Sequence, residues 1–231
     1  MKFTEALAAA REAGRAPVVA EIKSRSPKEG DLLRGRDPST LARAYEAAGA
    51  ACISVVTEPT HWGGSMDLLR TVASAVTIPV LRKDFINSPA DVHATKEAGA
   101  SCLLLTISKL DWHLLVELHK EAHRVGLETL VEAHDEAQVR MALTLDLDLL
   151  GINNRDINIL EKDDGTFSRT LDLIRYVPHN VRVLSESSIS SRSEVRAVIE
   201  AGALGVLVGT SILKAADPAA AVKNLVSALE T

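Results

Sequence analysis

Ser88-Pro89-Ala90-Asp91-Val92-His93-Ala94-Thr95-Lys96-Glu97-Ala98-Gly99-Ala100-Ser101-Cys102-Leu103-Leu104-Leu105 contains one complete helix-to-strand step. Ser88 ahead of Pro89 reads as an N-cap before a proline at the first helical position, where a missing N–H leaves nothing unpaired. Pro89–Ala98 carries helical period. Gly99 can take the left-handed turn that ends a helix, and an aliphatic run without polar alternation follows at once. The same Ala-Gly-Ala stop recurs at 48–50 and 201–203, each time just before another aliphatic run. One turn used repeatedly implies one structural unit used repeatedly.

Eight such runs punctuate the chain: Val18–Ile22, Cys52–Val56, Val80–Leu81, Cys102–Leu105, Thr129–Val131, Leu149–Ile152, Val181–Leu184 and Gly205–Val208. Most lack alternation, as parallel strands covered on both faces do. Amphipathic stretches at 38–48, 66–75, 89–98, 111–125, 136–144, 168–176, 192–201 and 218–229 fall between and after them. Asp37-Pro38 and Asp217-Pro218 repeat the N-cap and proline signal. The pattern predicts an α/β fold, a single (β/α)8 (TIM) barrel domain over residues 1–231, with a short N-terminal helix that caps the bottom or flanks it. An open doubly wound sheet competes less well, because it seldom needs eight strands and no Gly-x-Gly-x-x-Gly follows the first one.

Composition narrows the function classes. Of 231 residues, 46% are hydrophobic and 25% charged, and only 3% are aromatic, so the core is aliphatic. A net charge of −5 without any basic run argues against a nucleic-acid surface. No stretch has the length of a membrane span or the apolar centre of a signal peptide, so a cytoplasmic protein, monomeric or weakly homodimeric, is expected. Cys52 and Cys102 both open apolar runs and read as buried free thiols.

In a closed barrel the chemistry sits at the strand C-termini, and here those ends carry charge. Glu21 and Lys23 lie two apart on the first strand and face one way. Lys83 ends the third, with Phe85 beyond it; Glu132 ends the fifth and Asn153 the sixth, followed by Asn154 and Arg155. Unpaired charge is costly in a dry strand interior, so charge placed at one strand end after another describes a polar pocket built for chemistry. Glu186-Ser187-Ser188-Ile189 and Gly209-Thr210-Ser211, ending strands seven and eight, are small-residue loops of the kind whose backbone N–H groups cradle phosphate. Lys23 and Ser26 are placed to close that cradle.

These residues form an ordered set. Ala20-Glu21-Ile22-Lys23 with Ser26-Pro27, Thr57-Glu58 with Gly63-Gly64-Ser65, Leu81-Arg82-Lys83-Asp84-Phe85-Ile86, Leu130-Val131-Glu132, Gly151-Ile152-Asn153-Asn154-Arg155-Asp156, Ser185-Glu186-Ser187 and Val208-Gly209-Thr210-Ser211 closely resemble the motifs of indole-3-glycerol-phosphate synthases, one per strand, over residues 18–213. The resemblance implies a lyase of tryptophan biosynthesis. It would close the ring of 1-(2-carboxyphenylamino)-1-deoxyribulose 5-phosphate with loss of CO2 and water, and would need no metal or organic cofactor. It implies Lys83 as general acid, with Glu132, Glu21 and Lys23 sharing the dehydration steps in an order left open. Lys23 would also hold the anthranilate carboxylate or the phosphate. Asn153 and Glu186 would orient substrate hydroxyls, Arg155 would anchor the neighbouring loop, and Trp62 and Phe85 would sandwich the anthranilate ring.

The chain departs from the family pattern in places. Ser188 stands where the family usually has Gly, and serine there costs ~1–2 kcal/mol if the backbone needs positive φ. The loop lysine after Ser26-Pro27 is displaced to Lys28. The segment 157–167 is long and carries the turn signal Asp163-Asp164-Gly165, and the first strand begins near residue 18, without the usual long N-terminal extension. These departures leave open a short paralogue serving a secondary indole pathway. Two further readings stay open: a Schiff-base lysine aldolase using Lys83 as nucleophile, and a catalytically silent barrel acting as a partner subunit. His119 and His123 stand at metal-chelating spacing, but a solvated helix face is the expected reading. His134 reads as a satisfied loop residue near Glu132, and His61 as a possible substrate contact.

Overall fold

The computed structural model describes residues 1–155 and 165–230; Asp156 and the Asp163-Asp164 turn lie outside the described residues. Eight parallel strands close into a barrel: β1 (Val18–Ile22), β2 (Cys52–Val56), β3 (Val80–Lys83), β4 (Cys102–Thr106), β5 (Glu128–Ala133), β6 (Leu149–Asn153), β7 (Val183–Glu186) and β8 (Gly205–Val208). β1 pairs with β2 on one side (Glu21 opposite Ser54) and with β8 on the other (Ala20 opposite Val208), which closes the ring. The expected (β/α)8 barrel is therefore present.

Several strands extend past their aliphatic runs to include Lys83, Glu132, Asn153 and Glu186. Hydrophobicity marked the strand interiors, and backbone pairing carries on through the polar ends. Helices follow the strands: α2 (Pro38–Ala47), α3 (Met66–Ala75), α4 (Pro89–Glu97), α5 (Trp112–Arg124), α6 (Glu136–Ala142), α7 (Ser168–Leu173), α8 (Arg192–Glu200), α9 (Thr210–Lys214) and α10 (Pro218–Val226). Asp37, Ser88 and Asp217 each accept a backbone N–H as N-caps. Gly49, Gly99 and Gly202 take positive φ at the repeated Ala-Gly-Ala stop, the conformation in which a Cβ is disfavoured.

The first helix, α1 (Phe3–Glu12), caps the bottom of the barrel rather than its flank. Phe3 and Leu7 are fully buried against the inward layer formed by Val19, Leu81, Leu130 and Leu184, each side chain contributing roughly 2–3 kcal/mol of apolar burial. Glu128, at the N-terminal end of β5, fixes the cap by accepting the Thr4 N–H at 3.1 Å and the Thr4 hydroxyl at 2.6 Å. Cys52 and Cys102 are free and buried, and burial pushes both thiols well above their ordinary pKa. Among the described residues no helix is long and apolar enough to cross a membrane.

His119 corrects one expectation. It is buried, with only His123 of the pair lying at the surface, because α5 turns the His119 ring onto Thr129 of β5. A second feature had no periodic signal: Arg25-Ser26 pairs antiparallel with Gly30-Asp31 in a two-rung hairpin above β1.

Candidate active site

The strand ends bring the charged residues together. Lys23 Nζ lies 2.8 Å from Glu21 Oε1, while Lys83 Nζ lies 3.8 Å from Glu21 Oε2 and 3.7 Å from Glu186 Oε2. Burial alone would raise the Glu21 pKa, but Lys23 and Lys83 outweigh it and hold the carboxyl below its usual value, so Glu21 stays ionised at neutral pH. Across the mouth, Asn153 Nδ2 donates to Glu132 Oε2 at 3.0 Å, and His134 Nε2 stands 3.6 Å from Glu132 Oε1. Glu132, Asn153 and Glu186 are all 0% exposed, which places them at the dry floor of the site.

Two glycines make room for this floor. A Cβ on Gly209 would collide with Glu21 Oε1, and one on Gly151 would collide with Glu186 Oε1. Beside the phosphate role expected of Gly209 from sequence, the structure shows a steric one. Gly151 was not anticipated, although a glycine inside a strand signals close approach.

Beside the floor lies a cleft of about 470 Å³ lined by Lys23, Arg155, Ser187, Ser188, Gly209 and Thr210 among others. It has the composition expected of the phosphate cradle. Ser187 and Ser188 both adopt positive φ, 67° and 56°, and the Ser188 hydroxyl accepts from Arg155 Nε at 3.3 Å. The strain anticipated for Ser188 is therefore real. Ser188→Gly is expected to raise unfolding free energy by about 1 kcal/mol, measured by urea denaturation, provided the Arg155 contact is as weak as its length implies. Ser26 departs from expectation: its hydroxyl turns inside the hairpin to accept the Glu29 N–H at 3.1 Å, and it does not line the cleft. Glu29 in turn pairs with Lys214 at 2.6 Å, tying the hairpin to α9.

On the opposite side Trp62 and Phe85 form one wall with Val56 and Leu104. The two rings meet edge to face, centroids 6.0 Å apart at 64°. They touch each other instead of facing across a slot, so the expected sandwich is not the arrangement here. The cavity under them is small, about 30 Å³.

Three residues that the motif set contains without a role support the site. Glu58 accepts backbone N–H groups from Thr60, His61 and Trp62 at 2.7–3.0 Å. Burial raises its pKa, but these bonds outweigh that and lower it overall. Glu58→Ala strands three donors; a stability loss of about 2 kcal/mol, altered Trp62 emission and a KM raised more than kcat falls are expected. Asn154 donates to the Ser185 hydroxyl and to the Glu186 and Ser187 carbonyls, and its own carbonyl accepts from Thr170, so it clasps β6 to β7. Buried Arg82 bonds Asp84 and Thr57, and Asp84 accepts the Phe85 N–H, which fixes the strand end carrying Lys83.

A closed parallel barrel with buried lysines and carboxylates converging at its strand C-termini has the architecture of a (β/α)8-barrel enzyme. The family model for indole-3-glycerol phosphate synthase matches residues 1–225. The chain is 43% identical to the indole-3-glycerol phosphate synthase of Pyrococcus furiosus over 95% of this chain and 96% of that protein. It is 44% identical to that of Thermococcus kodakarensis over 94% and 95%, and 44% identical to that of a Nocardioides species over 90% and 79%. The chain belongs to the indole-3-glycerol phosphate synthase family.

Proposed function

We infer that this chain catalyses the decarboxylating ring closure of tryptophan biosynthesis, converting 1-(2-carboxyphenylamino)-1-deoxyribulose 5-phosphate to indole-3-glycerol phosphate, CO2 and water. The observation that carries the residue assignment is Lys83 suspended between Glu21 and Glu186 at a water-poor floor. In this reading the phosphate enters the cleft of Ser187, Ser188, Gly209 and Thr210, with Lys23 and Arg155 alongside. The ring displaces the Trp62–Phe85 contact. Attack of the ring carbon on the ribulose carbonyl then develops negative charge on oxygen, and Lys83 protonates it. Loss of CO2 leaves a hydroxylated intermediate that must lose water and a ring proton.

Glu21 is bound to Lys23 and held ionised, which suits it to electrostatic support. Glu132 pairs with no lysine or arginine among the described residues and is oriented by Asn153, which suits it to carry the proton. Asn153 and Glu186 then meet the substrate hydroxyls. We assign the whole of 1–231 to one barrel domain. Among the described residues the large exposed apolar side chains are Met1, Met141 and Leu171, too few to build an extensive apolar patch, which supports a monomer or weak homodimer. Fluorescence-monitored formation of the indole product from the carboxyphenylamino substrate tests the reading. Turnover supports it, and binding without turnover would transfer the chain to the silent-barrel reading.

A further inference from the structure

Far from the mouth, α5 and the turn into β6 assemble a second set of chemistry-bearing side chains. His119 and His123, one helical turn apart, and Asp148, just before β6, present ligand-type atoms that all lie within 4.8 Å of one another. The imidazole centroids are 4.2 Å apart. Asp148 takes all its hydrogen bonds on Oδ2, from His123 Nε2 at 2.6 Å, the Thr129 N–H at 2.9 Å and the Thr129 hydroxyl at 3.2 Å. Oδ1 is left for another partner.

The Thr129 hydroxyl lies 3.2 Å from Asp148 Oδ2 and 2.8 Å from His119 Nδ1, and where it gives its proton to Asp148 it accepts from His119. His119 Nδ1, 2.8 Å away, is then the donor and the lone pair sits on Nε2, the tautomer that binds metals. Burial, followed by the neighbouring His123, lowers the His119 pKa and keeps the ring neutral. The Asp146 carbonyl lies within bonding range of the same ring and favours the opposite tautomer, so a cation has that one contact to displace. Access is open, because His123 and Asp148 line a groove at the barrel bottom with Glu5, Lys96, Ser101 and Glu128.

We propose that His119, His123 and Asp148 form a site for a borderline divalent cation of the zinc type, which ties α5 to the entry of β5 and β6. Two imidazoles with one carboxylate select such ions over magnesium or calcium. The cation replaces the proton in the His123–Asp148 contact, its bonds of roughly 2.0–2.1 Å needing only small side-chain adjustments. The proposal is independent of the reaction at the mouth, and activity is not its readout.

The test titrates the chelator-stripped full chain with Zn2+ by calorimetry and with Co2+ by visible absorption. One saturable equivalent, tetrahedral cobalt bands and a melting temperature raised by roughly 5 °C at a hundredfold excess over Kd are expected. His123→Ala, at a half-exposed ring, abolishes the signal, and Asp148→Asn, which keeps an acceptor for Thr129, weakens it. His93→Ala, removing the nearby His93–Glu121 contact, leaves it intact. Absence of saturable binding, or one equivalent retained in His123→Ala, overturns the proposal; the histidines then serve only as hydrogen-bond partners of Thr129 and Asp148.

Discussion

Lys83→Ala is expected to lower kcat by about 10³-fold or more, the upper part of the range for a lost general acid in a desolvated site. The chain should still fold, because Glu21 keeps its 2.8 Å partner Lys23 and the Arg82–Asp84 lock on the strand lies on the other side of β3. KM should change far less than kcat, since the cleft residues are untouched. Borohydride treatment in the presence of substrate separates this from the Schiff-base reading. Covalent capture at Lys83 would overturn acid catalysis, and full activity in Lys83→Ala would remove the lysine from the mechanism altogether.

Glu132→Gln is expected to lower formation of indole product by about 10²–10³-fold, by a different route. Glutamine keeps a carbonyl for Asn153 Nδ2 and almost the same volume, so the floor stays in place and only proton transfer is removed. If Glu132 serves dehydration, condensation and decarboxylation still run in the variant. Single-turnover CO2 release then precedes indole absorbance, with the hydroxylated intermediate accumulating between them. Simultaneous loss of both signals would place Glu132 in the first step and leave dehydration to Glu21 and Lys23.

The barrel was legible because its information is local. Each strand interior is a short aliphatic run, and each helix is bounded by a cap such as Asp37 or Ser88 and a positive-φ glycine such as Gly99. The strand-end charges were legible because lysine and glutamate are out of place there. What escaped depends on where side chains end after folding. Glu58 looks like any loop carboxylate until three N–H groups curl back onto it. Trp62 and Phe85, distant in sequence, give no sign that they touch each other. His119 shares the helix face of Leu115, Leu118 and Ala122, so its burial follows from the helical period, and only its polar ring made it read as a surface residue. Ser26 has the right neighbours, but a two-rung hairpin too short for any periodic pattern turns its hydroxyl inward.

Helix α1 gives the reaction chamber a single door. Phe3 and Leu7 seal the lower layer, and Glu128 bolts Thr4 in place. Substrate, product, water and carbon dioxide then share the mouth at the strand C-termini, where Trp62 and Phe85 form one wall. Traffic through that opening becomes a scheduling problem, in which the gas leaves past a bound intermediate or waits for the product. Widening the opening would speed exit and admit bulk water to the floor, so turnover and dryness are set against each other at one threshold.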